Sequence, residues 1–400
     1  MLIGLVGKPS VGKSTFFKAA TLAEVEIASY PFTTIKANTG VAYVKVQCVD
    51  REFSVQCTPR EGYCLDGWRF VPVQLMDVAG LIPGAHEGKG LGNQFLDDLR
   101  QADVLIHVVD IAGATNEHGE PAAAGSYDPA RDIAFLEEEL DLWYVGILTK
   151  AWEKFVRLAV QEQTEVKRAI AKQFSGLGGV TEELVERILQ ELGLKQKPLN
   201  EWAADDVRRF ATGIRRKTKP IILACNKIDV SPAAENFARI RKAHPDRLMV
   251  PCSAESEIAL REAAKKGLIR YIPGEERFTI INPAGLSGKQ QHALDFIAAR
   301  ILGAYGSTGV QQVLDAAVFR ILRSIAVFPG GVNNLVDSKG RVLPDCFLLP
   351  PDATALDFAF KIHTDIGKKF IRAIDVRQKV PIGKDSILRD RDVVEIKTGA

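Results

Sequence analysis

The chain contains no run of 18 apolar residues, so no membrane-spanning helix is expected. It also lacks a charge excess: 52 Lys and Arg face 50 Asp and Glu, a net charge of +2. So balanced a total neither implies nor excludes nucleic-acid binding, and any basic surface has to be local. No leader is expected, because an apolar strand pattern begins at Leu2. Cysteine is scarce, with 6 in 400 residues, and its usage points to a reducing cytoplasm. Cys225 and Cys252 close two apolar runs and read as small buried residues. Cys48, Cys57 and Cys64 share a 17-residue window. Whether they bind metal stays open, since zinc wants four ligands and no histidine lies nearby. Apolar residues, by contrast, make up 46% of the chain, enough for real cores, and its length fits two to four domains.

The most informative stretch is Gly7-Lys8-Pro9-Ser10-Val11-Gly12-Lys13-Ser14-Thr15, which reads G-x-x-x-x-G-K-[ST]. It follows the apolar run Leu2–Val6 and precedes a helix-compatible run. Strand, loop and helix in that order are the context that a phosphate-binding loop needs. The glycines let backbone N–H groups turn inward around phosphate oxygens, and the helix aims its positive dipole end at the same anion. Lys13 is expected to reach the β- and γ-phosphates, and Ser14 to supply an oxygen to Mg²⁺.

The loop alone does not separate a kinase, an ATPase and a GTPase. Three later segments do. Val73–Gly80 is an apolar strand ending in D-x-x-G. Asp77 is placed to hold an Mg²⁺-bound water, and the N–H of Gly80 to sense the γ-phosphate. Pro220–Asp229 is a buried-strand pattern ending in N-K-x-D, through Asn226, Lys227 and Asp229. A carboxylate at Asp229 can accept both N1–H and the 2-amino group of guanine, whereas adenine leaves it unpaired. The stem of Lys227 is expected along the base, and Asn226 is expected to tie the segment to the phosphate loop. Leu248–Glu255 is a strand ending in S-A, so backbone N–H groups of Ser253, Ala254 and Glu255 are candidates for guanine O6. Each segment closes an apolar run, where ligands bind in open parallel α/β sheets. A metabolic kinase does not account for N-K-I-D followed by S-A.

Tyr30-Pro31-Phe32-Thr33-Thr34 and Asp77–Ala85 resemble the Obg family of translation-associated GTPases, in the TRAFAC class. The segment 79–92, AGLIPGAHEGKGLG, is similar to its YchF and DRG branches. The resemblance implies that Thr34 is the switch threonine contacting Mg²⁺ and the γ-phosphate. Lys13, Thr34 and Gly80 are then the catalytic group, and Ser14, Thr34 and Asp77 the metal group. YchF-type members whose N-K-x-D is altered prefer ATP; here the motif is intact, which favours GTP. Leu81 stands where Ras-like enzymes carry the water-orienting glutamine. That implies slow intrinsic hydrolysis, or a water placed by a partner or by His86 or Glu87. Some relatives carry Asn in place of Ser10 and require K⁺, so K⁺ dependence stays open.

The expected architecture is α/β. A P-loop GTPase domain at 1–275 has a mostly parallel sheet and a helical insertion at about 115–218. A helical connector follows at 276–324. Strand and single-helix patterning at 325–400 fits a small β-grasp module, and Ala359–Gly367 resembles the TGS signature. Strands are expected near 2–6, 40–48, 70–77, 103–109, 220–225 and 247–252, with an extra ribbon within 45–70. Within the insertion, 128–174 reads as one helical stretch, followed by helices near 181–192 and 200–215. Arg208, Arg209, Arg215, Arg216 and Lys217 are candidate RNA contacts, as are Lys368, Lys369, Arg372, Arg377 and Lys379 in the C-terminal module. The expected function is a cytoplasmic, monomeric, Mg²⁺-dependent GTP switch that turns over slowly and acts with the ribosome or structured RNA. The rival is a nucleotide-stabilised RNA- or ribosome-binding module with incidental hydrolysis.

Overall fold

A computed structural model describes residues 1–22, 38–78, 92–161 and 165–399. They divide into two units, residues 1–17 with 75–255 and residues 18–74 with 256–400. In chain order the first strands are β1 (Leu2–Val6), β2 (Thr39–Gln47), β3 (Tyr63–Leu65), β4 (Trp68–Asp77), β5 (Val104–Asp110), β6 (Ile221–Asn226) and β7 (Met249–Pro251). The helices among them are α1 (Lys13–Thr21), α2 (Gly92–Gln101), α3 (Ala130–Thr149), α4 (Trp152–Gln161), α5 (Val166–Gln173), α6 (Glu182–Glu191), α7 (Ala204–Thr218), α8 (Ala233–Ala243) and α9 (Ala254–Lys265).

In the first unit β1, β5, β6 and β7 run parallel, with Leu5 opposite Ile106, Val109 opposite Cys225 and Ala224 opposite Val250. The end of β4 flanks β1, and the Val78 N–H donates to the Leu5 carbonyl at 3.1 Å. Every residue of β5 is buried, which is why it reads as an unbroken apolar run rather than an alternating one. Parallel strands share one C-terminal edge, so the loops after β1, β6 and β7 gather there.

The insertion forms its own helical layer, with Leu136, Leu140, Tyr144, Ile170, Phe174, Ile188, Phe210 and Ile214 in one buried cluster. The single stretch expected over 128–174 is divided among α3, α4 and α5. The first break falls at Ala151, whose φ of 54° is left-handed. Trp152 and Phe155 continue the apolar spacing across that break, so periodicity could not mark it. The freed carbonyls of Ile147 and Lys150 are taken by the Gln173 amide at 3.0 and 3.1 Å. α6 starts at Thr181, whose hydroxyl accepts the Leu184 N–H, and α7 runs three residues past the expected Arg215. Arg215 is buried and paired with Asp141 at 2.7 Å, so it is not an RNA contact. Arg208, Arg209, Arg216 and Lys217 instead line a surface depression with Glu191 and Asp205.

The second unit contains the expected ribbon, with Tyr63 opposite Phe70 in an antiparallel β3–β4 pair. A hairpin follows from β8 (Ile269–Tyr271) and β9 (Phe278–Ile280). Helix α10 (Gly288–Phe296) passes through a π-helical stretch (Ile297–Leu302) into α11 (Gly303–Tyr305), and α12 (Val310–Asp315) into another (Ala316–Ile321). These helices lie within 276–324, where a helical connector is expected. Glu257 and Arg261 pair at 2.6 Å although both are fully buried, and Glu257 also accepts from Tyr271 and Thr308. The C-terminal strands are β10 (Ile325–Pro329), β11 (Phe347–Leu349), β12 (Phe370–Asp375), β13 (Val380–Ile382) and β14 (Val393–Thr398). They form a sheet of order β11-β10-β14-β12-β13, with β10 and β14 parallel. Helix α13 (Ala355–Ile362) packs Phe358 into the core of this sheet, behind a Thr354–Asp357 capping box. This is the expected β-grasp pattern. His363 ends α13 and accepts the Asp365 N–H at the start of α14 (Thr364–Lys368), a structural role.

Candidate nucleotide site

Loop 7–12 is held in shape by backbone conformations that most residues resist. Gly7 has φ 148° and Gly12 φ 94°. A Cβ on Gly7 would lie 2.5 Å from the Val108 carbonyl oxygen, and one on Gly12 would lie 2.4 Å from the Asn226 amide nitrogen. Ser10 is left-handed too, at φ 62°. The loop's carbonyls are engaged by side chains: Lys13 Nζ donates to Lys8 O at 3.3 Å, Lys227 Nζ to Ser10 O at 3.0 Å and Asn226 Nδ2 to Val11 O at 3.0 Å.

Lys13 and Ser14 open α1, and Asp77 ends β4. The Ser14 hydroxyl donates to Asp77 Oδ2 at 3.4 Å, while Asp77 Oδ1 is buried without a partner among the described residues. Burial lowers the Lys13 ammonium from its ordinary value, opposed by the charge of Asp77. Burial raises the Asp77 carboxyl, opposed by Lys13 and by the Ser14 hydrogen bond. An orphaned carboxylate oxygen beside a serine hydroxyl is a hard, oxygen-only donor set, which fits Mg²⁺.

The base segment is joined to this loop through Asn226. Its amide nitrogen bonds Val11, and its carbonyl oxygen accepts the Ala254 N–H at 3.1 Å. One N–H of the Ser253-Ala254-Glu255 segment is thereby engaged. Lys227, at φ 63°, extends to Asp110 Oδ2 at 2.9 Å. Asp110 escapes sequence reasoning. It is fully buried at the end of β5, it also accepts from the Thr115 hydroxyl and the Ala112 N–H, and it fixes the lysine. The only signal for it is an acidic residue closing an apolar run. Asp229 lies half-buried in the turn after β6, which is held by an Ile228 N–H bond to the Cys252 carbonyl at 3.0 Å.

Lys8 contributes backbone to the loop, but its side chain runs into the insertion. There Nζ lies 2.8 Å from Asp132, 3.0 Å from Thr115 O and 3.8 Å from the Tyr127 ring centroid. Pro9, Val11 and Thr15 complete the loop and the first turn of α1. Thr34 and Gly80 lie outside the described residues, as do Leu81, His86 and Glu87.

Family comparisons agree with this geometry. The profile described as "50S ribosome-binding GTPase" matches residues 2–139. That of the "Obg-like GTPase YGR210-like, G4 motif-containing domain" matches 224–332, and the TGS domain matches 336–398. The chain is 44% identical to a GTP-binding protein of Methanocaldococcus jannaschii, over 100% of this chain and 99% of the relative. It is 27% identical to the "Ribosome-binding ATPase YchF" of Escherichia coli O157:H7, over 98% and 97%. A crystal structure of a GTP-binding protein from Pyrococcus horikoshii superposes with TM-score 0.78 at 38% identity, covering 100% of both chains. The Schizosaccharomyces pombe YchF GTPase shares the fold, with TM-score 0.60 at 20% identity over 99% and 97%. The chain belongs to the YchF-like Obg family of P-loop GTPases, with a GTPase domain followed by a C-terminal TGS domain.

Proposed function

We propose that the protein is a cytoplasmic, monomeric guanine-nucleotide switch that hydrolyses GTP slowly to GDP and acts with the ribosome or structured RNA. The observation that carries the nucleotide assignment is Asn226, which binds Val11 of the phosphate loop and Ala254 of the S-A segment within an intact N-K-x-D. In this reading the GTPase domain spans 1–275, with a helical connector at 276–324 and the TGS module at 325–400. Backbone N–H groups of 7–15 surround the phosphates, and Lys13 offsets charge developing on the β- and γ-oxygens. Asp229 reads the guanine edge, Lys227 lies along the base, and Ser253, Ala254 and Glu255 close the base pocket. Ser14, Asp77 and Thr34 would hold Mg²⁺, which supplies charge neutralisation between the β- and γ-phosphates when bound. Gly80 would sense the γ-phosphate. With Leu81 unable to orient water, turnover is slow until a partner supplies that function. GTP orders Thr34 and Gly80, and hydrolysis releases them.

The ribosomal partner is supported by the names of the YchF relatives and by the TGS module. Those relatives are called ATPases, so ATP is the second reading for the nucleotide. Competition titration of ATP and GTP against labelled GDP tests the choice. Equal competition by ATP overturns the guanine assignment. Cosedimentation with ribosomal subunits in GDP and in a non-hydrolysable GTP analogue tests the switch, and identical binding in both states overturns it.

A further inference from the structure

Four side chains that belong to no nucleotide motif converge in the second unit: Cys48, Asp50, Cys57 and Cys64. One ligand atom from each lies within 4.8 Å of all the others. Cys48 and Cys57 sulfurs are 3.6 Å apart, and Cys64 Sγ lies 3.9 Å from Asp50 Oδ2. A tetrahedral zinc with Zn–S bonds of about 2.3 Å places its sulfurs about 3.8 Å apart, so the spacing is that of a coordination shell. A disulfide needs about 2.05 Å, and all the cysteines are free. We propose that Cys48, Asp50, Cys57 and Cys64 form a structural zinc site, closed by four protein ligands.

The surroundings suit a thiolate-rich metal centre. Cys48, Asp50 and Cys57 are each at most 4% exposed. The Arg51 N–H holds Asp50 Oδ1 at 2.8 Å, and the Cys57 N–H approaches Oδ2 at 3.4 Å, so the carboxylate is aimed by its own loop. A divalent cation cancels half the charge of three thiolates and one carboxylate. Arg69, fully buried and facing Cys48 and Cys57, offsets part of the rest. Asp50 and Cys64 also line a cavity of about 410 Å³, which gives an ion a path inward.

The site has a structural task. Loop 48–64 leaves β2 and carries the surface on which the C-terminal sheet rests within this unit. Cys48, Val49 and Cys57 share a buried cluster with Phe328, Leu343, Val376 and Val393. Thr58 and Arg60 N–H groups donate to the Val342 and Pro344 carbonyls at 2.9 Å, and Glu52 pairs with Arg377 and Arg391. A metal that fixes this loop therefore fixes the seat of the TGS module.

The test is elemental analysis of the untagged, full-length chain purified with reductant from zinc-supplemented medium. About one zinc per chain is expected. Cys57→Ser and Asp50→Asn are expected to lower zinc retention at least about tenfold against a competing chelator, while Cys346→Ser keeps it. Cobalt titrated into the chelator-stripped wild-type chain is expected to give thiolate charge-transfer bands and tetrahedral visible bands, a readout independent of whether any variant folds. Stripping is also expected to speed proteolysis between the loop and the TGS module. A reduced chain that takes up neither zinc nor cobalt overturns the proposal, as does a Cys48–Cys57 disulfide in chain purified without reductant. Zinc retention by Asp50→Asn equal to wild type removes Asp50 from the site and overturns the ligand set.

Discussion

The phosphate loop and the loop at Cys48–Cys64 both leave the end of a strand, yet they are built from opposite materials. Loop 7–12 offers backbone. Its conformations at Gly7, Ser10 and Gly12 set where the N–H groups point, and the side chains of Lys13, Asn226 and Lys227 hold its carbonyls. The loop at 48–64 offers side chains that converge inward. A backbone site tolerates many side chains but no added Cβ at its glycines, and its constraint appears as a contiguous pattern. A side-chain site tolerates varied spacing, so it leaves a much weaker trace in sequence.

The comparison is best broken by variants that should affect one loop and not the other. Lys13→Ala is expected to lower GTP turnover by about 100- to 1000-fold, measured as phosphate release with ribosomes present. Zinc content should stay unchanged, and a parallel loss of metal would mean the two loops are not independent. Asp229→Asn is expected to weaken GDP binding by about 100-fold in calorimetry and to raise affinity for xanthosine diphosphate. Unchanged guanine affinity would remove Asp229 from the base pocket.

The next effect concerns β2, the strand that delivers Cys48. Asp315 accepts the Lys45 N–H at 2.7 Å and the Gln311 amide at 2.9 Å. Burial pushes its carboxyl up to about 7, against those hydrogen bonds and the charges of Lys45 and Arg261. Its folded pKa lies above its unfolded value, so the folded state holds the proton more tightly. Its ionisation therefore costs stability progressively as pH rises from about 4 to 7. Asp315→Asn is expected to stabilise the chain by roughly 2 kcal/mol at pH 8 and by little at pH 4, in denaturant unfolding. A pH-independent difference would contradict this.

The smallest effect is expected on the TGS surface. Lys368, Lys369 and Arg372 are exposed, whereas Arg377 is tied to Glu52. Replacing the three by Ala should weaken ribosome association several-fold, reduce its salt slope by about 1 per lost phosphate contact, and leave GTP affinity alone. Single-residue changes are the cleaner test here than removal of 325–400. Arg69 donates to the Leu343 and Pro344 carbonyls, and Cys48 and Cys57 share a core with Phe328, so truncation would bare the metal loop.

These contrasts explain what could be read in advance. The strands of the nucleotide unit were legible because each is an apolar run, and all of them except β5 are closed by a nucleotide motif. The β-grasp module was legible from its alternating strands and single helix. Asp110 and Asp50 were not, since a lone acidic residue says nothing until tertiary contacts give it a lysine or three thiols. Glu257 and Arg261, four residues apart, are both fully buried, which their charged spacing on a helix does not announce. The break at Ala151 was hidden because apolar periodicity runs through it.

The double bond pattern of Asn226 has a kinetic meaning. A single amide grips Val11 with its nitrogen and Ala254 with its oxygen, so in the proposed reading recognition of the base and the shape of the phosphate cradle share one joint. A misfitting base would then be penalised twice, once by weaker occupancy and once by a distorted cradle that slows bond cleavage. Discrimination measured as kcat/KM should exceed discrimination measured as Kd, and Asn226→Ala should bring the two ratios together.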